Sequence, residues 1–226
     1  MSRASVFNPV RAAELLNNGL RDMQLLTTEY EREQLIRYFE LMAKWNHVYN
    51  LSAIRDLDKM VSHHLLDSLV IIGNFRNWLS GTMTPRILDV GTGGGLPGVV
   101  LAIMNPAWQL TLIDPVHKKT AFLTQVKAQL NLNNLTVVTG KVEDLPTDTP
   151  YDCITSRAFA SVIDFVRLSE NVLKPDGFFA AMKGVMPADE LNELEQFAPQ
   201  TWQHEIIKLN VPQLDAERHL VKLNKK

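Results

Sequence analysis

The chain has 226 residues, 46% of them hydrophobic and 21% charged, the balance of a globular protein with one large core or a core and an appendage. A net charge of −2 excludes a broadly basic nucleic-acid coat, though not a nucleic-acid substrate met through a local patch. Cys153 is the only cysteine, which excludes an internal disulfide and a cysteine-built zinc site.

The first residues, "MSRASVFNPV", lack the sustained apolar core of a signal peptide. The longest apolar run, Val99 to Met104, is far shorter than the roughly 20 residues that span a bilayer. A cytoplasmic chain without membrane contact is the expectation. Two regimes then divide it: a helical subdomain over 1–80, and a segment over 81–226 in which strands alternate with helices.

In the helical part, Thr28-Glu29-Tyr30-Glu31 is a capping box ahead of Leu35, Ile36, Phe39, Met42 and Ala43 at helical spacing. Asp56 is placed to cap a second helix through Met60, Val61, Leu65, Leu69 and Ile72. From Arg86 the pattern changes. "RILDV", "QLTLID", "LTVVTG", "YDCITSRA" and "FFAAMKG" read as strands, with helices after Pro97, through Phe122 to Leu130, and around Ile163 to Leu173. A helix near Ala188 to Phe197 precedes a closing hairpin of "WQHEIIKL" and "RHLVKL". The alternation predicts a three-layer α/β fold on a largely parallel sheet, with ligands beyond the carboxyl ends of its strands.

The stretch "PRILDVGTGGGLPGVV" carries the chemistry. A phosphate-cradling P-loop needs Lys followed by Ser or Thr, and Gly95 is followed by Leu96 and Pro97. Gly93 to Gly98 matches G-x-G-x-x-G, the dinucleotide fingerprint, but late in register, so an NAD-dependent oxidoreductase stays open at this point. The pattern that fits the strand end is Asp89-x-Gly91-x-Gly93-x-Gly95. Its glycines let backbone approach a ligand, and its acid favours an ammonium over a pyrophosphate. S-adenosylmethionine has that ammonium, a ribose and an adenine. Asp114, ending the second strand, is placed for the ribose hydroxyls, or as a helix cap. Val142 and Glu143 are placed for the adenine.

"KWNHVYNLSAIRD" (44–56), "HHLLDSL" (63–69), "LDVGTGGGLPG" (88–98), "SRAFAS" (156–161), "MKG" (182–184) and "ERHLV" (217–221) together resemble the bacterial small-subunit rRNA guanine-N7 methyltransferases of the RsmG family, also called glucose-inhibited division protein B. The chain departs from their pattern at Gly94, where many members carry proline, and at His63, where arginine is common. The resemblance implies the class I S-adenosylmethionine-dependent methyltransferase fold, Rossmann-like with a seven-stranded mixed sheet, and cofactor contacts at Gly91, Leu96, Val142, Glu143 and Arg157. It also implies methylation of a guanine N7 in the 530 loop of 16S rRNA; the modest net charge points to the small subunit or an assembly intermediate as partner, and a monomer is the expectation.

Guanine N7 has a free lone pair, so its methylation needs positioning and no general base. The Asn-Pro-Pro-Tyr motif used on exocyclic amines is missing, and Cys153, lying mid-strand, reads as core. Arg157 and Lys183 are the positioning candidates, and Phe159 is a candidate for stacking on a splayed base. Arg55, His64, Lys118, Lys119, Lys183, Arg218 and His219 are candidates for RNA phosphate, with a buried interdomain polar pair of His64 and Asp67 as the alternative for His64. Alternatives are a methyltransferase for another RNA or a small molecule, and a non-catalytic S-adenosylmethionine-binding regulator. No cluster has metal-ligand spacing.

Overall fold

The structure is a computed structural model, and it describes residues 7–49, 51–157, 159 and 161–226. Asn50, Ala158 and Ala160 of the quoted motifs lie outside the described residues.

Helix α1 (Pro9–Asp22) starts with proline in its first turn, and the Asn8 side chain accepts from Arg11 N at 3.0 Å. Helix α2 (Glu29–Tyr49) begins with the expected capping box. Thr28 Oγ1 accepts from Glu31 N at 3.1 Å, and Glu31 Oε2 accepts from Thr28 N at 2.6 Å. Asp56 caps α3 (Leu57–Met60) by accepting from Lys59 N at 2.9 Å. The segment after α3 differs from the single regular helix that the apolar spacing predicts. A π-helical turn over Val61–Leu66 interrupts it before α4 (Asp67–Leu69) and α5 (Ile72–Trp78). Such turns add a residue to the spiral and redirect side chains, often at functional sites.

Strands β1 (Arg86–Val90), β2 (Gln109–Asp114), β3 (Leu135–Thr139), β4 (Tyr151–Ser156) and β5 (Leu173–Lys183) are parallel. The hairpin β6 (Trp202–Leu209) and β7 (Arg218–Lys225) joins them through β7, which runs antiparallel to β5 and pairs Lys183 with His219. The seven-stranded order is β3-β2-β1-β4-β5-β7-β6. It reverses direction at β1–β4, where β1 leads to α6 (Gly98–Met104) on one face and β4 to α8 (Val162–Ser169) on the other, so their loops part and leave a crevice at the carboxyl ends. Strand β5 starts earlier than expected, at Leu173, and its register with β4 shifts between Tyr151 and Cys153.

Both faces of the sheet are covered, so its central strands are apolar on both sides. On one face lie α6 (Gly98–Met104) and α7 (His117–Leu130), over Ile87, Leu110 and Leu112. On the other, α8 (Val162–Ser169) and α9 (Ala188–Phe197) cover Leu88, Ile113, Ile154 and Phe179. The N-terminal helices pack outside α6 and α7. One apolar cluster runs from Ala12 to Leu220, so packing does not break near residue 80. Trp45 and Tyr49 serve this seam. Trp45 stacks against Phe122, and its Nε1 donates to Gln125 Oε1 at 3.0 Å.

Tyr38, fully buried in α2, donates its hydroxyl to Gly94 O at 2.6 Å and so ties the helical segment to the glycine loop. Burial pushes its pKa well up, so it remains a donor. Tyr38→Phe removes that donor and is expected to lower the unfolding free energy by about 1–2 kcal/mol in urea denaturation. An unchanged midpoint would show that the bond contributes nothing.

Candidate functional site

The glycine loop follows β1 because the chain turns sharply at its end: Gly91, Gly93 and Gly95 all have positive φ, which other residues rarely adopt. Its amides are held by the next strand. Gly91 N and Thr92 N donate to Ile113 O at 2.9 and 3.2 Å, and Gly93 N donates to Asp114 Oδ2 at 3.0 Å.

Two cavities flank the segment after β4, at the carboxyl ends of the strands. One, of about 310 Å³, lies over β1, β2 and β3. It is lined by Val90, Gly91, Ile113, Pro115, Gly140, Lys141, Val142, Glu143 and Phe159. A Cβ on Gly91 or Gly140 would meet no protein atom within 4 Å. Bare backbone there leaves room for a ligand and serves no packing need. The other cavity, of about 330 Å³, lies over β4, β5 and β7. Its lining is Ile54, His63, His64, Asp67, Arg157, Met182, Lys183, Gly184 and Arg218.

Several expected cofactor residues prove to brace this geometry from behind. Asp89 is completely buried; its Oδ2 accepts from Thr92 Oγ1 at 2.7 Å and from Gly98 N at 2.9 Å, at the start of α6. Its Oδ1 has no partner among the described residues. A Cβ on Gly95 would lie 2.6 Å from Val99 Cγ2, so this glycine serves packing. Leu96 is 5% exposed and belongs to the core. Asp114 acts as the cap that was its alternative reading: Oδ1 accepts from Val116 N at 2.9 Å and Oδ2 from Lys119 Nζ at 3.1 Å. Each carboxylate oxygen has two lone pairs, so Oδ1 keeps acceptor capacity beside the cavity wall.

Burial raises Asp89 from 3.8 to about 6. A proton held more tightly in the folded chain than in the unfolded one stabilises the fold at low pH, and that contribution is lost as pH rises through about 6. The loss amounts to about 3 kcal/mol, at 1.36 kcal/mol per unit. Urea denaturation from pH 4 to 8 should therefore show wild type losing stability relative to Asp89→Asn as pH rises. A difference independent of pH would contradict the assignment.

The cation-lined cavity collects residues from distant segments. Asp67, with a side chain 3% exposed, accepts from Arg157 Nη1 at 3.3 Å and from Arg218 Nε at 2.8 Å. Arg157 Nη1 also donates to His63 O in the π-helical turn at 3.0 Å. Its salt-bridge partner is thus Asp67. Lys183 Nζ lies 2.7 Å from Glu190 Oε2 and 3.3 Å from Phe159 O.

Two histidines expected at RNA phosphate do not fit that role. His64 is buried with Nε2 2.7 Å from Ser52 Oγ, and burial followed by Arg157 lowers its pKa to about 4, so it stays neutral near pH 7. His219 is 3% exposed with Nδ1 at 3.1 Å from Gly184 O. Lys119 is engaged by Asp114, while Arg55 and Lys118 are exposed away from both cavity linings. Phe159 packs on Phe165, ring centroids 5.2 Å apart, and lines the glycine-floored cavity in place of the acceptor side. Glu190, Tyr38 and Asp67 were not among the site candidates of the sequence: Tyr38 and Asp67 act through residues far away in the chain, whereas Glu190 meets Lys183 seven residues away, across the turn after β5. Among the described residues no group of His, Cys, Asp and Glu could hold a metal ion.

The strand order, the glycine turn after β1 and the acid ending β2 define the Rossmann-like fold of the S-adenosylmethionine-dependent methyltransferases. The crystal structure of such an enzyme from Aquifex aeolicus superposes with a TM-score of 0.52 at 15% identity, covering 70% of this chain and 92% of that one. Within that class, the family described as "GidB: rRNA small subunit methyltransferase G" matches residues 31–221. The chain belongs to this family. Proteins named ribosomal RNA small subunit methyltransferase G are 47% identical over 225 residues in Burkholderia vietnamiensis (98% of this chain, 96% of that one) and 50% over 212 residues in Janthinobacterium sp. (92% of each). No helix among the described residues is long and apolar enough to cross a membrane.

Proposed function

We propose that the protein transfers a methyl group from S-adenosylmethionine to N7 of a guanine in the 530 loop of 16S rRNA, in the cytoplasm. The observation that carries this reading is the pair of cavities on either side of the post-β4 segment, one floored by glycine backbone and the other lined by cations. Family membership supports rRNA as acceptor, and the resemblance of the sequence motifs supplies the guanine position.

The glycine-floored cavity fits an adenosine group. Val142 gives an apolar wall, Glu143 an acceptor for an amine, and the remaining lone pair of Asp114 Oδ1 an acceptor for ribose hydroxyls. The unpartnered Asp89 Oδ1 is a buried acceptor that a cationic group nearby would stabilise in its ionised form. When bound, S-adenosylmethionine supplies an electrophilic methyl on a sulfonium.

The chain's own part is then positioning. Asp67 and His63 O fix Arg157 between the two cavities, and Lys183 is fixed by Glu190. Asp67 is committed to two guanidiniums and His64 has little proton affinity, so neither offers a strong base. This suits an acceptor nitrogen that carries a lone pair and loses no proton. Effective molarity gained by orientation can then supply several kcal/mol of the barrier reduction. The net charge of −2 favours a structured ribonucleoprotein as substrate, which would provide binding surface the protein lacks.

Labelled methyl transfer tests the reading, with 16S rRNA supplied free and in small subunits from an unmodified source. The expected product is 7-methylguanosine in the 530 loop. Label in another nucleoside, or binding of NAD in preference to S-adenosylmethionine, would refute it.

A further inference from the structure

The charge in the second cavity is not balanced. Arg157, Lys183 and Arg218 bring three positive charges, and Asp67 with Glu190, the partner of Lys183, bring two negative ones, an excess of one positive charge. His64 adds none at neutral pH. The groups are only partly exposed: the side chains are 25% exposed for Arg157, 21% for Arg218, 11% for Lys183, 28% for Glu190 and 3% for Asp67. An uncompensated charge in such surroundings is unfavourable unless a counter-ion joins it. Asp67 accepts from both guanidiniums with different oxygens, which holds them in fixed orientation at one wall. Pre-oriented guanidinium groups match oxyanions well, through paired N–H donors and a permanent charge.

We propose that this cavity is an oxyanion subsite that takes one phosphodiester of the acceptor strand, with Arg218 as the principal donor and Asp67 as the residue that positions it. The inference rests on the proposed RNA-methylating function and deepens it. One unit of negative charge from a phosphodiester cancels the excess. The subsite lies over β4, β5 and β7 with Arg157 in the same lining, while the glycine-floored cavity lies over β1, β2 and β3, so a phosphate held by Arg218 would bring its nucleotide into the cavity that Arg157 lines. The carboxylate of the cofactor's amino-acid end has the same oxyanion chemistry, and the test must separate the two sources.

Protein saturated with S-adenosylhomocysteine is titrated with guanosine 5′-monophosphate and with guanosine, followed by NMR. The nucleotide is expected to bind about tenfold more tightly than the nucleoside. Arg218→Met should bring the two within about twofold while S-adenosylhomocysteine affinity stays unchanged. Asp67 keeps Arg157 as a partner in that variant, and Arg218→Lys, which retains the charge, should recover part of the preference. Equal affinities in wild type, no nucleotide binding at millimolar concentration, or a preference surviving in Arg218→Met would overturn the proposal. Displacement of S-adenosylhomocysteine by the nucleotide would also overturn it, because the anion would then share the cofactor's place. Methyl transfer to rRNA is read on the same samples. Transfer without a phosphate preference removes the subsite alone, and a phosphate preference without transfer removes the proposed function alone.

Discussion

Gly91→Val is expected to leave a folded protein that has lost S-adenosylhomocysteine binding by about 100-fold, near 3 kcal/mol. The position has φ +66°, and an added Cβ meets no protein atom within 4 Å. Valine therefore adds backbone strain of about 1–3 kcal/mol but no clash within the protein. Its methyls would stand in the cavity of about 310 Å³ that Gly91 floors. Thermal unfolding and calorimetry on the same preparation separate the two effects. A cooperative transition with normal affinity would remove the glycine-floored cavity as the cofactor site. Loss of folding and binding together would mean that the glycine is needed by the turn alone, as Gly95 is needed by the packing of Val99 and Leu123.

Asp114→Ala has a different expected signature, because this carboxylate serves the fold and the site together. Its removal strands Gly93 N and Val116 N, and it releases Lys119. The two part-buried donors lose their acceptor and are partly recovered by water, which is expected to cost about 1–2 kcal/mol of stability, while Lys119, 31% exposed, can turn to water. Affinity for S-adenosylhomocysteine should fall as well, by about 100-fold if two ribose hydroxyls lose a charged acceptor. Asp114→Asn keeps an oxygen for one amide and should fall between wild type and alanine in both measurements. A variant that loses stability but binds normally would confine Asp114 to its capping role.

These variants show why the site was only partly legible in sequence. Asp114 was legible twice over, as ligand acceptor and as cap, because both roles need a carboxylate at the end of a strand before a helix. The carboxylate's capping bonds, to Val116 N and Gly93 N, are in the structure itself. Asp89 was read as facing a ligand, but in a parallel strand the alternate residue points under the following helix, and there it holds Gly98 N. His64 and His219 are candidates for RNA phosphate by residue type alone. Burial keeps His64 neutral and places His219 against Gly184 O.

What the sequence determined by itself is everything governed by near neighbours. The capping box at Thr28 and Glu31, the cap at Asp56, the apolar strands and the positive-φ glycines after β1 follow from hydrogen bonds and torsions spanning a few residues. Tertiary structure alone decided which charges meet. Asp67 reaches Arg157 across 90 residues and Arg218 across 151. The π-helical turn that presents His63 O to Arg157 departs from the period the apolar spacing implies. Ion-pair choice depends on distance and burial after the chain has closed, and neither is encoded in a residue's local neighbourhood. The strand-end loop thus marks where a cofactor fits, while the cavity that receives the acceptor exists only once β4, β5, β7 and the π-helical turn have come together.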